Sequence, residues 1–471
     1  MAAFEPSAES ERLRTFLRYG VLAVVVLSPL PFGSVLPEAL LGLQLAVAVL
    51  GVLSLVLLAR GSGLPAGAAR AAVTLAVALV GIGLVQLVPL PARVVGWIAP
   101  PTASVREEIA GVLPGVLAGP LPESLAPPDT VDAVLRLAAY VVLGVAAALA
   151  FRGDRAVRTF MLVVAASGAF QAVYGSVEYL SGHQHIFGYA KEFYVDQATG
   201  TLINRNHFAS YLAMTLPMAM GVLLLDSRNV PRGLSWRQRV VTSMEVRHLA
   251  VPFAALAVVA MWIGVFLSYS RGGLAAALLG TAIVSFAAGR GRARIVLLAL
   301  LVLPAVFLSW KEIQAPGERL VDIGIEFENP KGRLAAWRAG SRMVPRYAVL
   351  GSGYGTFEPA FVPYKPPEMT GRWDHAHNDW LQVVIEGGVS AGLIVVVLLV
   401  VAGRRAVAKP PGGLGRDLLP ACLGAAVFAA AFHGLFDFAV KVPAVAVLLA
   451  CQLGVLVGRP VRRRALPHGS H

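Results

Sequence analysis

About twelve stretches of roughly 20 mostly apolar residues recur along this chain, each long enough to carry a helix across some 30 Å of hydrocarbon. They lie near 17–35, 38–59, 71–90, 131–151, 156–179, 207–225, 249–268, 272–288, 295–310, 380–402, 418–437 and 442–458. In lipid every backbone N–H and C=O needs an internal partner, and a spanning helix supplies one for each. The expected fold is an all-α integral membrane protein of about twelve transmembrane helices, with outer loops capping a lateral cavity. Composition agrees: 57% of the 471 residues are hydrophobic, 14% are charged and the mean hydropathy is +0.70, beyond the usual range of soluble domains.

A net charge of +13 invites thoughts of nucleic acid, but its placement excludes that reading. Arginines collect in alternate loops, from Arg12, Arg14 and Arg18 through Arg152, Arg155 and Arg158 to Arg459, Arg462, Arg463 and Arg464. This is the positive-inside pattern, and it puts both termini in the cytoplasm. Attraction to anionic membrane lipid is a secondary effect. Cys422 and Cys451 fall inside expected spans and read as small hydrophobes. The first apolar segment lacks a small-residue cleavage site and reads as an uncleaved helix.

Four regions follow: residues 1–180 with helices one to five and an outer loop at 91–130; 181–310 with helices six to nine; a long outer loop at 311–378; and 379–471 with helices ten to twelve and a basic tail. Within the first loop, Ala92 to Ile98 reads as an amphipathic piece at the interface. In the long loop, Gly332 to Tyr347 reads as a short amphipathic helix, with Leu334, Trp337 and Met343 apolar, ending at Pro345. The glycine-rich turn from Gly351 to Phe357 has neither the strand nor the helix of a nucleotide loop, so packing of a loop over a cavity is its expected use.

The segment Arg372-Trp373-Asp374-His375-Ala376-His377-Asn378-Asp379-Trp380 packs ionisable groups against the start of an apolar run. Charge at a membrane edge is costly, so chemistry is the default reading. On the same face lie Arg205, at the outer end of span six, and Arg271, in a turn of a few residues between spans seven and eight. Arginine stays charged and suits phosphate oxygens bidentately, so this pair makes a cradle for a lipid-borne diphosphate. His377 is the candidate general base. Alternatives stay open. Arg205 could snorkel to headgroups as an anchor. Asp374, His375, His377 and Asp379 could bind a metal, although histidines two apart share a side only in an extended strand. His207 and His433 are expected as satisfied polar groups in helix packing, and Asp437 as a partner of Lys441 or of another span.

His377-Asn378 followed by Glu386-Gly387-Gly388-Val389 resembles the histidine motif of the O-antigen ligase and polymerase family of bacterial membrane glycosyltransferases. Asn204 to Ala209, Ser270 to Gly273, Gly332-Arg333 to Trp337, and His433 to Asp437 with Pro443 resemble further landmarks of that family, in order, over about 190 to 445. Where the family commonly carries a second glycine, this chain has Ala391 and then Gly392. The resemblance implies a GT-C-like fold and a metal-independent, inverting transfer without cofactor. The donor would be a glycan on undecaprenyl diphosphate and the acceptor a hydroxyl, at the periplasmic face of the inner membrane. His377 would take the acceptor proton while Arg205 and Arg271 stabilise the leaving diphosphate. Arg333, Arg338, His375, Asn378, Asp379, His207 and Asp437 are lower-ranked site residues. Polymerisation of a surface polysaccharide is preferred to ligation onto lipid A core, with chain-length or export proteins as partners. Rivals are a lipid-linked glycan flippase or transporter, which would place its ions nearer the midplane and show duplicated halves, and a non-catalytic scaffold.

Overall fold

The computed structural model describes residues 8–64, 67–113, 119–227, 235–244, 249–289, 332–408 and 417–459. In chain order the helices are α1 (Ala8–Leu27), α2 (Pro37–Ala59), α3 (Ala68–Gln86), α4 (Ala92–Ile98), α5 (Pro100–Val112), α6 (Pro127–Ala150), α7 (Asp154–Leu180), α8 (Arg205–Asp226), α9 (Trp236–Ser243), α10 (Ala250–Leu267), α11 (Arg271–Ala287), α12 (Arg333–Ser341), α13 (Phe357–Phe361), α14 (Asp379–Ala406), α15 (Leu418–His433) and α16 (Pro443–Gly458). Strand structure among the described residues is confined to two short antiparallel pairs, β1 (Pro89–Leu90) with β2 (Leu121–Pro122) and β3 (His185–Ile186) with β4 (Tyr189–Ala190).

Seven described helices, α2, α3, α6, α7, α8, α10 and α14, are long and apolar enough to cross a membrane, and α11, α15 and α16 are shorter apolar helices beside them. The protein is an all-α, multi-pass membrane protein. The expected span at 295–310 and the first part of the 311–378 loop lie outside the described residues. The first span is displaced from its apolar window. It runs from Ala8 to Leu27 because Glu9, Glu11 and Arg14 join its first turns, and the chain then turns at Phe32–Ser34.

Helix α8 is the axis of the bundle, buried along nearly all of its length and packed against α7, α10, α11 and α15. Gly273 permits a close crossing of α11 on α8. A Cβ there would stand 2.2 Å from the Cβ of Ala209, so the start of α11 lies directly on the start of α8. At the opposite end of α8, Arg158 forks onto Asp226, and Arg459 bridges Asp154 and Asp417 at 2.7 and 3.1 Å.

Helix α14 is broken. Gly388 has φ +73° inside it, and a Cβ at that position would meet the Val349 carbonyl oxygen at 2.6 Å. Breaking a helix frees carbonyls, and here the glycine-rich turn satisfies them: Ser352 N donates to Ile385 O at 2.9 Å and Gly353 N to Glu386 O at 3.2 Å. From α3, the Gln86 side chain donates to Glu386 O at 2.7 Å and accepts from Tyr354 N at 3.0 Å. The turn thus packs against the helix break, and Tyr354 and Gly355 also line a cavity.

Two local expectations shift. Helix α12 stops at Ser341, four residues short of Pro345, and buries the small side chains Ala336, Ala339 and Gly340 while Leu334 and Trp337 stay half-buried. Met343, beyond its end, joins Tyr347, Phe357, Phe361 and Ile385 in an apolar cluster capping the first half of α14. Helix α4 forms as expected, with Val95 buried and Trp97 exposed.

Candidate active site

Three arginines from distant parts of the chain each begin a helix: Arg205 in α8, Arg271 in α11 and Arg333 in α12. A helix N-terminus already carries about half a positive charge, so a cation there is unfavourable unless an anion comes to it. Their N-caps hold the geometry. Asn204 accepts from Asn206 N at 2.8 Å, and Ser270 from Gly273 N at 3.1 Å. Arg205 lies 5.9 Å from the Tyr194 ring centroid and within electrostatic reach of Arg271, Arg333 and Asp437. Three guanidinium groups and three aligned backbone N–H sets make a strongly anion-seeking corner.

Opposite them stands the histidine segment. His377 adopts φ +50°, left-handed for a non-glycine residue, which is costly and typical of positions under functional constraint. Its Nδ1 lies 3.6 Å from Asp437 Oδ1, and its ring packs on Trp373 and Phe438. Asp437 is buried. Its Oδ2 lies 3.7 Å from Arg333 Nη2, and Arg333 Nη1 donates to Phe436 O at 2.8 Å. Burial raises the Asp437 pKa, but His377, Arg333 and the other imidazoles outweigh it and hold the carboxyl well below its ordinary value. A carboxylate facing Nδ1 leaves Nε2 of His377 available as a base.

Phe438 is the peg of the site, with the rings of His375, His377 and His207 at 4.2, 4.8 and 4.9 Å from its own. His375 Nδ1 accepts from Gln382 Nε2 at 3.1 Å. Burial, aided by Lys441, pushes its imidazole down to about 4, so it is neutral at pH 7. Asn378 caps α14 by accepting from Leu381 N at 3.0 Å. Asp379 fastens that helix start to the α15–α16 turn: its N–H donates to Gly434 O at 2.7 Å and its Oδ2 accepts from Val440 N. His375, His377 and Asp379 therefore aim at different partners.

The structure departs from expectation at His207, His433 and Arg338. His207 and His433 were expected as satisfied groups, yet His207 Nε2 and His433 Nδ1 are buried with no hydrogen-bond partner among the described residues. Lys441 pairs at 2.7 Å with Glu386 of α14, which is the pairing with another span that the sequence left open beside Asp437. Arg338 is exposed, about 140° around α12 from Arg333, and stands apart from the gathered residues.

Sequence reasoning passed over Glu386 as a functional group. It is buried, receives Gln382 Nε2 at 2.7 Å and neutralises Lys441. The signal was available, since an ionisable residue inside an apolar span is expensive unless paired. Trp337 and Gln382 were also unassigned. Trp337 Nε1 donates to Ala376 O at 2.9 Å and Ala376 N to Gln382 Oε1 at 3.1 Å, which together hold the strained histidine segment. On the His375 side a cavity of about 470 Å³ opens, with Asp374, His375, Gln382, Glu386 and Lys441 at its polar end. Its walls are apolar, from Leu398, Val427 and Leu453 among others.

No curated protein matches the chain. Residues 256–396 match the profile of the O-antigen ligase family. The matched stretch runs from α10 into α14 and holds Arg271, Arg333, His375, His377 and Asp379, while Arg205 and Asp437 lie to either side of it. The chain is thus a multi-pass membrane protein in which residues 256–396 are similar to the O-antigen ligase family.

Proposed function

We propose that the protein transfers a glycan from undecaprenyl diphosphate to a hydroxyl acceptor at the periplasmic face of the bacterial inner membrane, both termini being cytoplasmic. The observation that carries the proposal is the meeting of Arg205, Arg271 and Arg333, all at helix starts, with the His377–Asp437 pair. A diphosphate seated among the arginines directs its anomeric carbon towards His377. The imidazole takes the proton of the acceptor hydroxyl, the oxygen attacks the anomeric carbon from the opposite face, and the glycosidic electron pair leaves on the diphosphate. Configuration inverts, and no metal is required because guanidinium groups and helix ends neutralise the leaving group. Asp437 holds the His377 ring and stabilises its protonated form. The cavity beside His375 has the polar mouth and apolar depth that suit a glycan carried on a lipid. Within this chemistry we favour polymerisation of a surface polysaccharide, and ligation to lipid A core is the alternative. Partners are the lipid-linked donor, the acceptor, membrane lipid and proteins that set chain length or export.

The test is release of undecaprenyl diphosphate by purified protein given a lipid-diphosphate glycan, with and without a lipid A core acceptor. Arg205→Ala, Arg271→Ala and His377→Ala are each expected to slow release by about 100-fold or more. Asp437→Asn should lower kcat roughly 1,000-fold with KM for donor little changed. Unaltered release in Arg205→Ala, Arg271→Ala and His377→Ala removes the enzyme reading. Lengthened glycan without lipid A core identifies a polymerase; product only with the core identifies a ligase.

A further inference from the structure

A second cluster of ligand-type side chains lies outside the transfer site, where α7 ends. Glu178 sits in the last turn of that helix, and the chain then reverses through Gly182 at φ +72° and Gln184 at φ +54° before entering β3. This reversal returns two imidazoles to the helix end. One ligand-type atom from each of Glu178, His183 and His185 lies within 4.8 Å of the others. The His183 and His185 rings stack face to face, with centroids 3.9 Å apart and planes at 19°.

The hydrogen bonds define which ring nitrogens are occupied. His183 Nδ1 lies 2.8 Å from Glu178 Oε2, which also accepts from His185 N at 3.1 Å. His185 Nδ1 is bonded to the carbonyl oxygen of His183. A carboxylate and a carbonyl can only accept, so each Nδ1 carries the hydrogen and each Nε2 keeps its lone pair. An ion shared by Glu178 and His183 takes the place of the hydrogen on His183 Nδ1, because Nε2 of that ring points away from the carboxylate. Lys191 donates to Gln184 Oε1 at 3.2 Å and to Gln197 O at 2.7 Å, and not to the carboxylate of Glu178. His183 is exposed, so an ion can reach the site from solvent.

We propose that Glu178, His183 and His185 form a binding site for a divalent transition-metal ion of the zinc class, separate from the glycan-transfer residues, which ties the β3–β4 hairpin to the end of α7. Two imidazoles with a carboxylate suit zinc, nickel or copper, and solvent completes the coordination; the hard ions calcium and magnesium prefer all-oxygen sites. The location gives the ion a lever. The same loop continues to Tyr194, whose ring lies over Arg205.

Zinc titration of the chelator-stripped full chain in detergent, followed by calorimetry, reads the site directly. One equivalent is expected to disappear in His183→Ala and in His185→Ala, and Glu178→Gln should weaken it about 10- to 100-fold. Cobalt should give visible absorption that both histidine variants lose, and magnesium should not displace it. A wild-type chain that takes up no zinc, or variants that bind the same number of ions with the same affinity, overturns the proposal. Retained glycan transfer by each variant in the presence of chelator shows that it is folded and keeps this result independent of the transfer reaction.

Discussion

Glu123 shows what a single buried side chain can impose on the whole protein. It lies between β2 and α6, fully buried, with neither carboxyl oxygen hydrogen-bonded among the described residues. Burial pushes its carboxyl up to about 8, against the opposing pull of Arg106. The folded protein therefore keeps a proton there that the unfolded chain releases near its ordinary value of 4.5. Stability from this group is complete below pH about 4.5 and is lost as pH rises through about 8, because over that window the folded state binds more protons. Glu123→Gln should flatten this slope, so that the variant melts higher than the parent at pH 8.5 and close to it at pH 5. Thermal unfolding in detergent at the two pH values checks this, and a parent curve that does not fall with pH contradicts it. The residues nominated from sequence fared unevenly for a physical reason. Arg205, Arg271 and His377 stood out because each is charged or polar at a membrane edge, whereas the 3.6 Å approach of His377 to Asp437 joins positions far apart in the chain, and no local pattern encodes it.

At the scale of elements, the apolar windows located most helices to within a few residues because a bilayer fixes both length and composition. The break in α14 was not legible. Gly387-Gly388 reads as a weak spot in any helix, but its conformation depends on Ala348 and Ser352 arriving from another part of the chain to occupy the freed hydrogen-bonding groups. Gly388→Ala should be destabilising by about 2 kcal/mol or more, since it adds a clash with a backbone carbonyl to a left-handed conformation. Ala391→Gly, three residues on in the intact half of the helix, should cost about 1 kcal/mol. Comparing the two melting temperatures tests the point, and equal losses contradict it. The break also explains why Glu386 can be buried: its backbone carbonyl is held by Gln86 and Gly353 and its side chain by Gln382 and Lys441.

At the scale of the molecule, the distribution of basic loops predicts an orientation that can be measured. Cys422 and Cys451 are fully buried and should resist labelling in intact cells. A cysteine introduced at Ser181, between α7 and β3, should react with a membrane-impermeant maleimide once the outer membrane is permeabilised. One at Arg155, near the start of α7, should react only after the inner membrane is opened. The reverse order contradicts the assigned orientation. Arg205 comes from the start of α8, Arg271 from α11 and His377 from the approach to α14, whereas Asp437 and Lys441 stand between α15 and α16, close to the end of the chain. A nascent polypeptide inserted helix by helix would thus present Arg205, Arg271 and His377 before the Asp437 carboxylate that faces the His377 ring.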